Sequence, residues 1–400
     1  MSRKNRDIVT VAMIVFLGLI AFSAGFLTNE LVSEKFNFGS STEVSEEFDV
    51  FLEAWDKIER YYIGAVPSSK ERTYGALRGA IALLADPYTI FIEPVARDQE
   101  RESLRGNFGG IGALLEKDEN SNIVLTPIEN NPAAEAGIIK DDILLAVDEY
   151  EISQEMTIEE VANLIRGEDG SKVVLTVLHP DSTKPVEVTI TRAIILLPSV
   201  SYEVLEQDPS VGYIRLNRFS GESSGEIEEA VTSLLGQGVQ FLILDVRQNG
   251  GGLLDAAIDV SDHFLDRGPV VYQVGKDQEE RVFESSDNRI ARELPMVVLV
   301  DGGTASAAEI VAGALQDRER ATLIGTTTFG KGSVQVVYDL SDGSSVHVTS
   351  ARWLTPNRNQ IDQQGLTPDV VVEVTEESIT NGQDLALEEA IAFLTNLANN

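Results

Sequence analysis

Ser306, Lys331 and Gln335 are the residues of this chain whose types and spacing could break an acyl bond. Ser306 follows a short β-branched run, Met296–Val300, and the turn Asp301-Gly302-Gly303. Around it Ala305, Ala308, Ile310, Val311, Ala314 and Leu315 recur at helical spacing. The pattern predicts a strand, a tight turn and a helix with Ser306 in its first turn. Such a corner lifts a hydroxyl clear of the sheet, and the unpaired N–H groups of the helix start lie beside it, aimed at a developing oxyanion. Lys331 becomes a base only by losing its proton. Burial among apolar neighbours lowers an ammonium pKa by roughly 3–5 units in the extreme, and a Ser–Lys pair activates its hydroxyl in this way. In the extended stretch that follows, side chains alternate. Lys331, Ser333 and Gln335 then share one face, and the Gln335 amide could orient the amine without adding charge.

Each residue also has a plainer reading. Ser306 and Glu309 have the spacing of a capping box, and Lys331 alone could be a solvated loop lysine. Three glycines, Gly250 to Gly252, stand between an apolar strand at 241–246 and a helical pattern at 253–264, where backbone N–H groups can approach a ligand closely. A phosphate-binding loop is the rival reading of these glycines, but no G-K-[ST] follows them.

The joint occurrence decides between these readings. The stretches TASAAEIVAGALQD and TTTFGKGSVQ resemble the C-terminal processing proteases, also called tail-specific proteases, whose motifs read roughly S-A-S-x-S-E-I-x-A-G-A-L and T-F-G-K-G-x-V-Q. The resemblance implies that Ser306 is the nucleophile, Lys331 the general base and Gln335 the residue that orients it. Ala308 departs from the pattern, where the family often has a second serine, but Ser306 keeps the spacing to Asp317 and Lys331. DVRQNGGG is similar to the family's D-L-R-x-N-x-G-G, which implies an oxyanion hole from Gly251 or Gly252 together with Ala307. YGALRGAIALLADPYTIFIEP resembles the family's helical segment before its binding module, and Gly365-Leu366-Thr367-Pro368-Asp369-Val370 its closing motif.

Residues 105–192 resemble a PDZ domain. Asn131-Pro132-Ala133-Ala134-Glu135-Ala136-Gly137-Ile138 and then Asp142-Ile143-Leu144-Leu145-Ala146-Val147-Asp148 follow the consensus P-A-x-x-A-G-L-x-x-G-D-x-I-L-x-V-N-G, with Asp141 and Glu149 where glycine is usual. The loop Phe108-Gly109-Gly110-Ile111-Gly112 precedes a strand at 113–116. Its backbone N–H groups could hold a terminal carboxylate while the strand pairs with the peptide.

Composition sets outer limits. The 400 residues carry a formal net charge of −34, which argues against nucleic-acid binding. With no cysteine there is no disulfide and no thiol nucleophile, and three scattered histidines, His179, His263 and His347, argue against a zinc site. None of the three lies in a motif, so a Ser-His-Asp triad is the weaker alternative. No metal and no cofactor is expected.

In chain order, residues 1–7 form a basic flank and residues 8–27 are uncharged. At about 1.5 Å per residue that stretch spans the roughly 30 Å hydrocarbon core, with the flank in the cytoplasm. It is an uncleaved anchor or, given Ala21-Phe22-Ser23, a cleaved signal peptide. Either way the remainder is exported, and the expectation is a single-pass membrane protein with its catalytic domain extracytoplasmic. A polar linker is expected over 28–45, amphipathic helices over 46–104, the PDZ domain over 105–192, an α/β peptidase core over 193–375 and a final helix over 376–400. That helix, apolar at Leu385, Leu387, Ala390, Ile391, Leu394 and Leu397, serves either as core or as a homodimer contact. The fold class is therefore a mixed α/β and α+β multidomain chain: a transmembrane helix, a helical segment, an inserted PDZ domain and an α/β core bearing a Ser–Lys dyad. The function expected is an exported serine endopeptidase that captures protein C-termini, neutral or apolar ones in preference to acidic ones. The alternatives are a non-catalytic PDZ scaffold and an α/β acyl enzyme acting on thioesters.

Overall fold

The computed structural model describes residues 42–400 apart from 181, 287–289, 292–293, 374, 376–377, 379 and 399–400. The span expected at 8–27 lies outside these residues, as does most of the linker. No described helix is long and apolar enough to cross a membrane. The chain divides into two compact units after Gly75.

In the first unit the helix Thr42–Tyr61 begins inside the stretch expected as linker. Its aromatic row stacks on itself, Phe48 on Phe51 at 6.0 Å and Phe51 on Trp55 at 6.3 Å between ring centroids, and the Arg72 guanidinium lies 5.0 Å from the Trp55 ring. Phe48, Leu52 and Ile58 stay exposed.

The core of the second unit is a six-stranded sheet. Val200–Val204 runs antiparallel at one edge, and Val211–Leu216, Phe241–Asp245, Met296–Val300, Thr322–Gly325 and Val370–Val371 follow in parallel order. Strand alternation assigns the two faces. Leu242, Leu244, Val298 and Val300 pack with the helices Ser223–Gly236, Leu254–Asp262 and Ala307–Asp317, whereas Ile243, Val297 and Leu299 pack with Ala386, Ala390 and Leu394 of the last helix, Leu385–Ala398. Most of the apolar stripe of that helix is thus core, while Leu397 at its end stays exposed. Full burial of Met296–Val300 on both faces is what a near-continuous apolar run predicts for a central parallel strand.

A five-stranded antiparallel sheet stands beside this core. In it Ser345–Leu354 pairs with Ile90–Ile92, Gly268–Gly275 and Ser333–Asp339, and Gly268–Gly275 pairs onward with Glu280–Ser285. Residues 113–191 form a separate six-stranded sheet with its own core of Leu125, Leu144, Val161, Val173 and Leu175. Within it Ala113–Lys117 is an edge strand, next to the helix Ile158–Ile165, whose start carries a reciprocal Thr157–Glu160 capping box. One expected loop is not one. Asn107–Gly110 is a strand paired with Ala193–Leu196, so only Ile111 and Gly112 remain as the turn ahead of the edge strand.

Candidate active site

The two halves of the site leave the carboxyl ends of neighbouring parallel strands, where ligands of open α/β sheets bind. Leu242–Asp245 and Met296–Leu299 pair residue by residue, and their ends are tied beyond the ladder. Val246 N donates to Leu299 O (3.1 Å) and Ala305 N to Asn249 O (2.9 Å). The glycine turn after the first strand is therefore fixed against the serine turn after the second.

Ser306 has φ 56° and ψ −118°, a conformation that L-residues rarely adopt. It is stored strain at a sharp strand-to-helix elbow. An ordinary N-cap is extended, so the local structure is not that of a simple cap, although half of the expected capping box is present. The Ser306 amide donates to Glu309 Oε2 at 2.9 Å.

Glu309 was legible in the sequence only as a cap, and it proves to be the hub of the site. Its carboxylate is fully buried. Oε1 accepts from Thr328 Oγ1 (2.6 Å) and Gly330 N (2.7 Å), while Oε2 accepts from Lys331 N (2.9 Å) as well as from Ser306 N. One carboxylate thus ties the Ser306 elbow to the Lys331 loop. Burial pushes its pKa up, against the pull of the four donors.

Two glycines flank Lys331 because the chain passes close to a neighbour on each side. A Cβ on Gly330, at φ +85°, would lie 2.9 Å from Gly365 N, and one on Gly332 would lie 2.1 Å from Asp362 N. Gln363 N donates to Gly330 O and Trp353 N to Gly332 O. The closing segment at 362–365 therefore walls the lysine loop, which gives the Gly365-Leu366-Thr367-Pro368 motif a structural reason.

Ser306, Ala307, Lys331, Gln335, Gly251 and Gly252 all line one open cleft of about 500 Å³. Among the described residues no hydrogen bond joins Ser306 Oγ to Lys331 Nζ. Gln335 does not follow simple alternation. The ladder shifts between Val334 and Gln335, with Ser350 the extra residue on the partner strand, and Val334, Gln335 and Val337 all face the cleft. The Gln335 amide donates to Ser333 Oγ (2.8 Å) and Thr349 Oγ1 (3.4 Å), so its place in this structure is on its own sheet and not on the lysine.

The oxyanion expectation narrows. Gly251 N already donates to Asn249 Oδ1 (2.9 Å), and the buried Asn249 amide is held in turn by Leu216 O (2.8 Å). Gly252 N and Ala307 N have no protein acceptor among the described residues. They are the pair available to a tetrahedral oxyanion. Gly251 has a different duty. At φ +101°, a Cβ there would lie 2.8 Å from Ser306 Cβ, 2.9 Å from Ala305 O and 3.0 Å from Ala307 N. Gly251→Ala is expected to push the turn off the elbow and reduce kcat by about 10²–10³, the effect of displacing one oxyanion donor. Steady-state kinetics with a circular-dichroism check of folding would test it, and an active, folded variant would refute it.

Behind the glycine turn lies a charged brace. Buried Asp245 accepts from Tyr213 Oη (2.6 Å), Arg215 Nη1 (3.2 Å) and Arg247 Nη2 (2.6 Å), and Arg247 reaches on to Asp384 through two bonds of 2.7 and 2.8 Å. Burial first, then Asp245, pushes the Tyr213 hydroxyl up to about 12. Burial works against the Arg247 charge, yet its bonds to Asp384 and Asp245 outweigh that and raise its pKa.

The cleft has a further wall that was not foreseen as part of the site, the helix Pro94–Arg105 at the end of the expected helical region, which contributes Glu100 and Leu104. Glu100 accepts from Arg97 Nη1 at 2.7 Å and lies 3.3 Å from His347 Nε2, also on the cleft. Burial opposes the Glu100 charge, but His347 and Arg97 hold its carboxyl low. His179 pairs instead with Asp142 (2.6 Å) and His263 with Ser224 (2.9 Å), so neither belongs to the site. Among the described residues no group of His, Cys, Asp and Glu could hold a metal.

The expected peptide-binding loop also narrows. Phe108, Gly109 and Gly110 belong to a ladder, Gly109 O accepts from Gly167 N (3.1 Å), and the Phe108 ring sits 5.0 Å from the Arg166 guanidinium. Ile111 and Gly112, at φ +70°, remain as the turn that opens onto the edge strand.

Residues 210–372 match the model of peptidase family S41, and residues 123–178 match a PDZ domain. The carboxyl-terminal-processing protease of Synechocystis sp. is 34% identical over 99% of this chain and 95% of its own length. The carboxy-terminal-processing protease of Bartonella bacilliformis is 33% identical over 93% of this chain and 86% of its own. Among solved structures, a photosystem II D1 C-terminal processing protease is 33% identical over 81% of this chain and 92% of its own, with a TM-score of 0.47. With its elbow serine, its lysine loop and its PDZ module in one chain, this protein belongs to the carboxyl-terminal-processing serine proteases of peptidase family S41.

Proposed function

We propose that the protein is an exported, membrane-anchored endopeptidase that captures the C-terminus of a substrate protein on its PDZ domain and cuts by Ser–Lys chemistry. The observation that carries the reading is the strained elbow of Ser306, placed on the same cleft as Lys331 and tied to its loop through Glu309.

In the first step Ser306 Oγ attacks the scissile carbonyl carbon and its proton passes to Lys331 Nζ. The oxyanion accepts from Gly252 N and Ala307 N. The C–N bond then breaks, the leaving amine takes the proton from Lys331, and an acyl ester on Ser306 remains. Water resolves the ester by the reverse proton path. For this cycle Lys331 must reach Ser306, and Gln335 would have to leave its bonds to Ser333 and Thr349 to orient it there. At the PDZ domain an extended C-terminal tail adds to the edge strand Ala113–Lys117, with its carboxylate at the Ile111–Gly112 turn. The uncharged stretch at 8–27, after a basic flank, supports the membrane anchor and the extracytoplasmic site.

The test is cleavage of a loosely folded protein with an apolar C-terminal tail by the full chain in detergent or lipid, alongside Ser306→Ala and Lys331→Ala. The reading requires loss of cutting in both variants with folding kept. Cutting that survives both substitutions would sink the mechanism, and tail binding without cutting by any form would favour the PDZ scaffold.

A further inference from the structure

The segment Asp86-Pro87-Tyr88-Thr89 has no part in the chemistry above, yet it reaches the base. The Tyr88 ring centroid lies 5.4 Å from Lys331 Nζ. Among the described residues no hydrogen bond or ion pair to that nitrogen competes with the ring. The segment is held firmly for an irregular stretch. Asp86 Oδ1 accepts from Tyr88 N (3.1 Å) and Asp86 Oδ2 from Thr89 Oγ1 (2.6 Å). Buried Thr89 Oγ1 accepts in turn from Thr349 N (3.1 Å), on the strand that also carries the Gln335 contact. The ring is half-buried, and its hydroxyl is pushed up by burial first and then by Asp362, Glu309 and Asp86, so it remains a neutral phenol. Those three carboxylates act on the Tyr88 hydroxyl, while Glu100 and His347 line the same cleft as Lys331. Glu309 is occupied by four donors and Asp362 lies 3.4 Å from Arg352 Nε.

We propose that Tyr88 is a positioning residue for Lys331: its ring face seats the amine and fixes its approach to the cleft. An aromatic face attracts a cation placed over it. The inference rests on the Ser–Lys reading, and the test separates the two.

The measurement is the rate at which a fluorophosphonate probe labels Ser306 in the full chain as pH is raised. In that reaction Ser306 Oγ forms a bond to phosphorus, fluoride leaves, and the serine proton goes to the base. Tyr88→Phe keeps the ring and is expected to label within about twofold of the parent. Tyr88→Leu is expected to label about tenfold more slowly at its plateau. Should Tyr88→Leu lose its fold, Tyr88→Met is read in the same way. A plateau in the ring-less variant equal to the parent's, or an equal loss in Tyr88→Phe, overturns the assignment to the ring. Lys331→Ala serves as the control: if it labels like the parent the Ser–Lys reading itself fails, whereas an inert Lys331→Ala beside a Tyr88→Leu that labels like the parent overturns the Tyr88 inference alone.

Discussion

Ser306→Ala and Lys331→Ala should each lower kcat/KM for a tail-bearing protein substrate by about four orders of magnitude or more, with the fold intact. In the proposed mechanism the first removes the atom that bonds to the substrate, and the second removes the acceptor of its proton. Both leave Gly252 N and Ala307 N in place, so a small residual rate above water is expected in either variant. Because the two groups act as a unit, the double variant should be no slower than the worse single one. Multiplying losses would mean that the lysine does something other than accept the serine proton. The elbow predicts a second signature, in stability. Ser306 sits at φ 56° and ψ −118°, where glycine is at ease and an L side chain is strained by about 1–3 kcal/mol. Ser306→Gly should therefore unfold at a higher temperature than Ser306→Ala while being equally inactive, which differential scanning calorimetry would read directly. Equal melting temperatures would mean that the elbow stores no strain.

Much of this site was legible because its determinants are local. A β-branched run, a glycine turn and a helical period place Ser306, and none of them needs knowledge of the rest of the chain. The parts that were not legible depend on partners far away in sequence. The helix Pro94–Arg105 has its start signal in Pro94 and its stop signal in Gly106, at φ 80°, but its sides are charged and no apolar period marks it. Several of those charges meet distant partners, Arg97 and Arg101 at Asp339 and Glu100 at His347, the separation of the Arg97–Asp339 bond being 242. The hairpin of Gly268–Gly275 and Glu280–Ser285 was missed for a similar reason, since its outer strand exposes most of its residues and shows no clean alternation. Gly251 and Gln335 are subtler cases. That glycines would approach the elbow could be foreseen, but which N–H stays free depends on Asn249, and which face Gln335 takes depends on an extra residue, Ser350, in the opposite strand.

Glu309 gathers these threads, and its substitution carries the other large expected effect. Glu309→Ala would leave Ser306 N, Gly330 N, Lys331 N and Thr328 Oγ1 without their acceptor in a fully buried place. Each unmet donor costs about 1–3 kcal/mol, less where a water enters. Glu309→Gln is the more telling variant. It keeps the shape but turns one acceptor oxygen into a donor, so two of the four bonds oppose a like group. Both variants should lose at least about a thousandfold in kcat, since elbow and base loop are no longer held to one point. The pH dependence gives a test that a merely structural acid would fail. Burial raises the folded-state pKa of Glu309 above its ordinary value of 4.5. The folded protein thus binds this proton more tightly than the unfolded chain, and the Glu309 contribution to stability grows on acidification and declines as pH rises through the folded pKa. Activity should move the other way, because a protonated carboxyl presents one acceptor fewer to the clamp. In the window between 4.5 and the raised pKa, the parent protein should lose activity on acidification with no matching loss of stability from this group, and Glu309→Gln should show neither response. Parallel pH titrations of Ser306 labelling and of thermal midpoint, in parent and variant, decide it: an unchanged pH response in Glu309→Gln would remove Glu309 from the clamp.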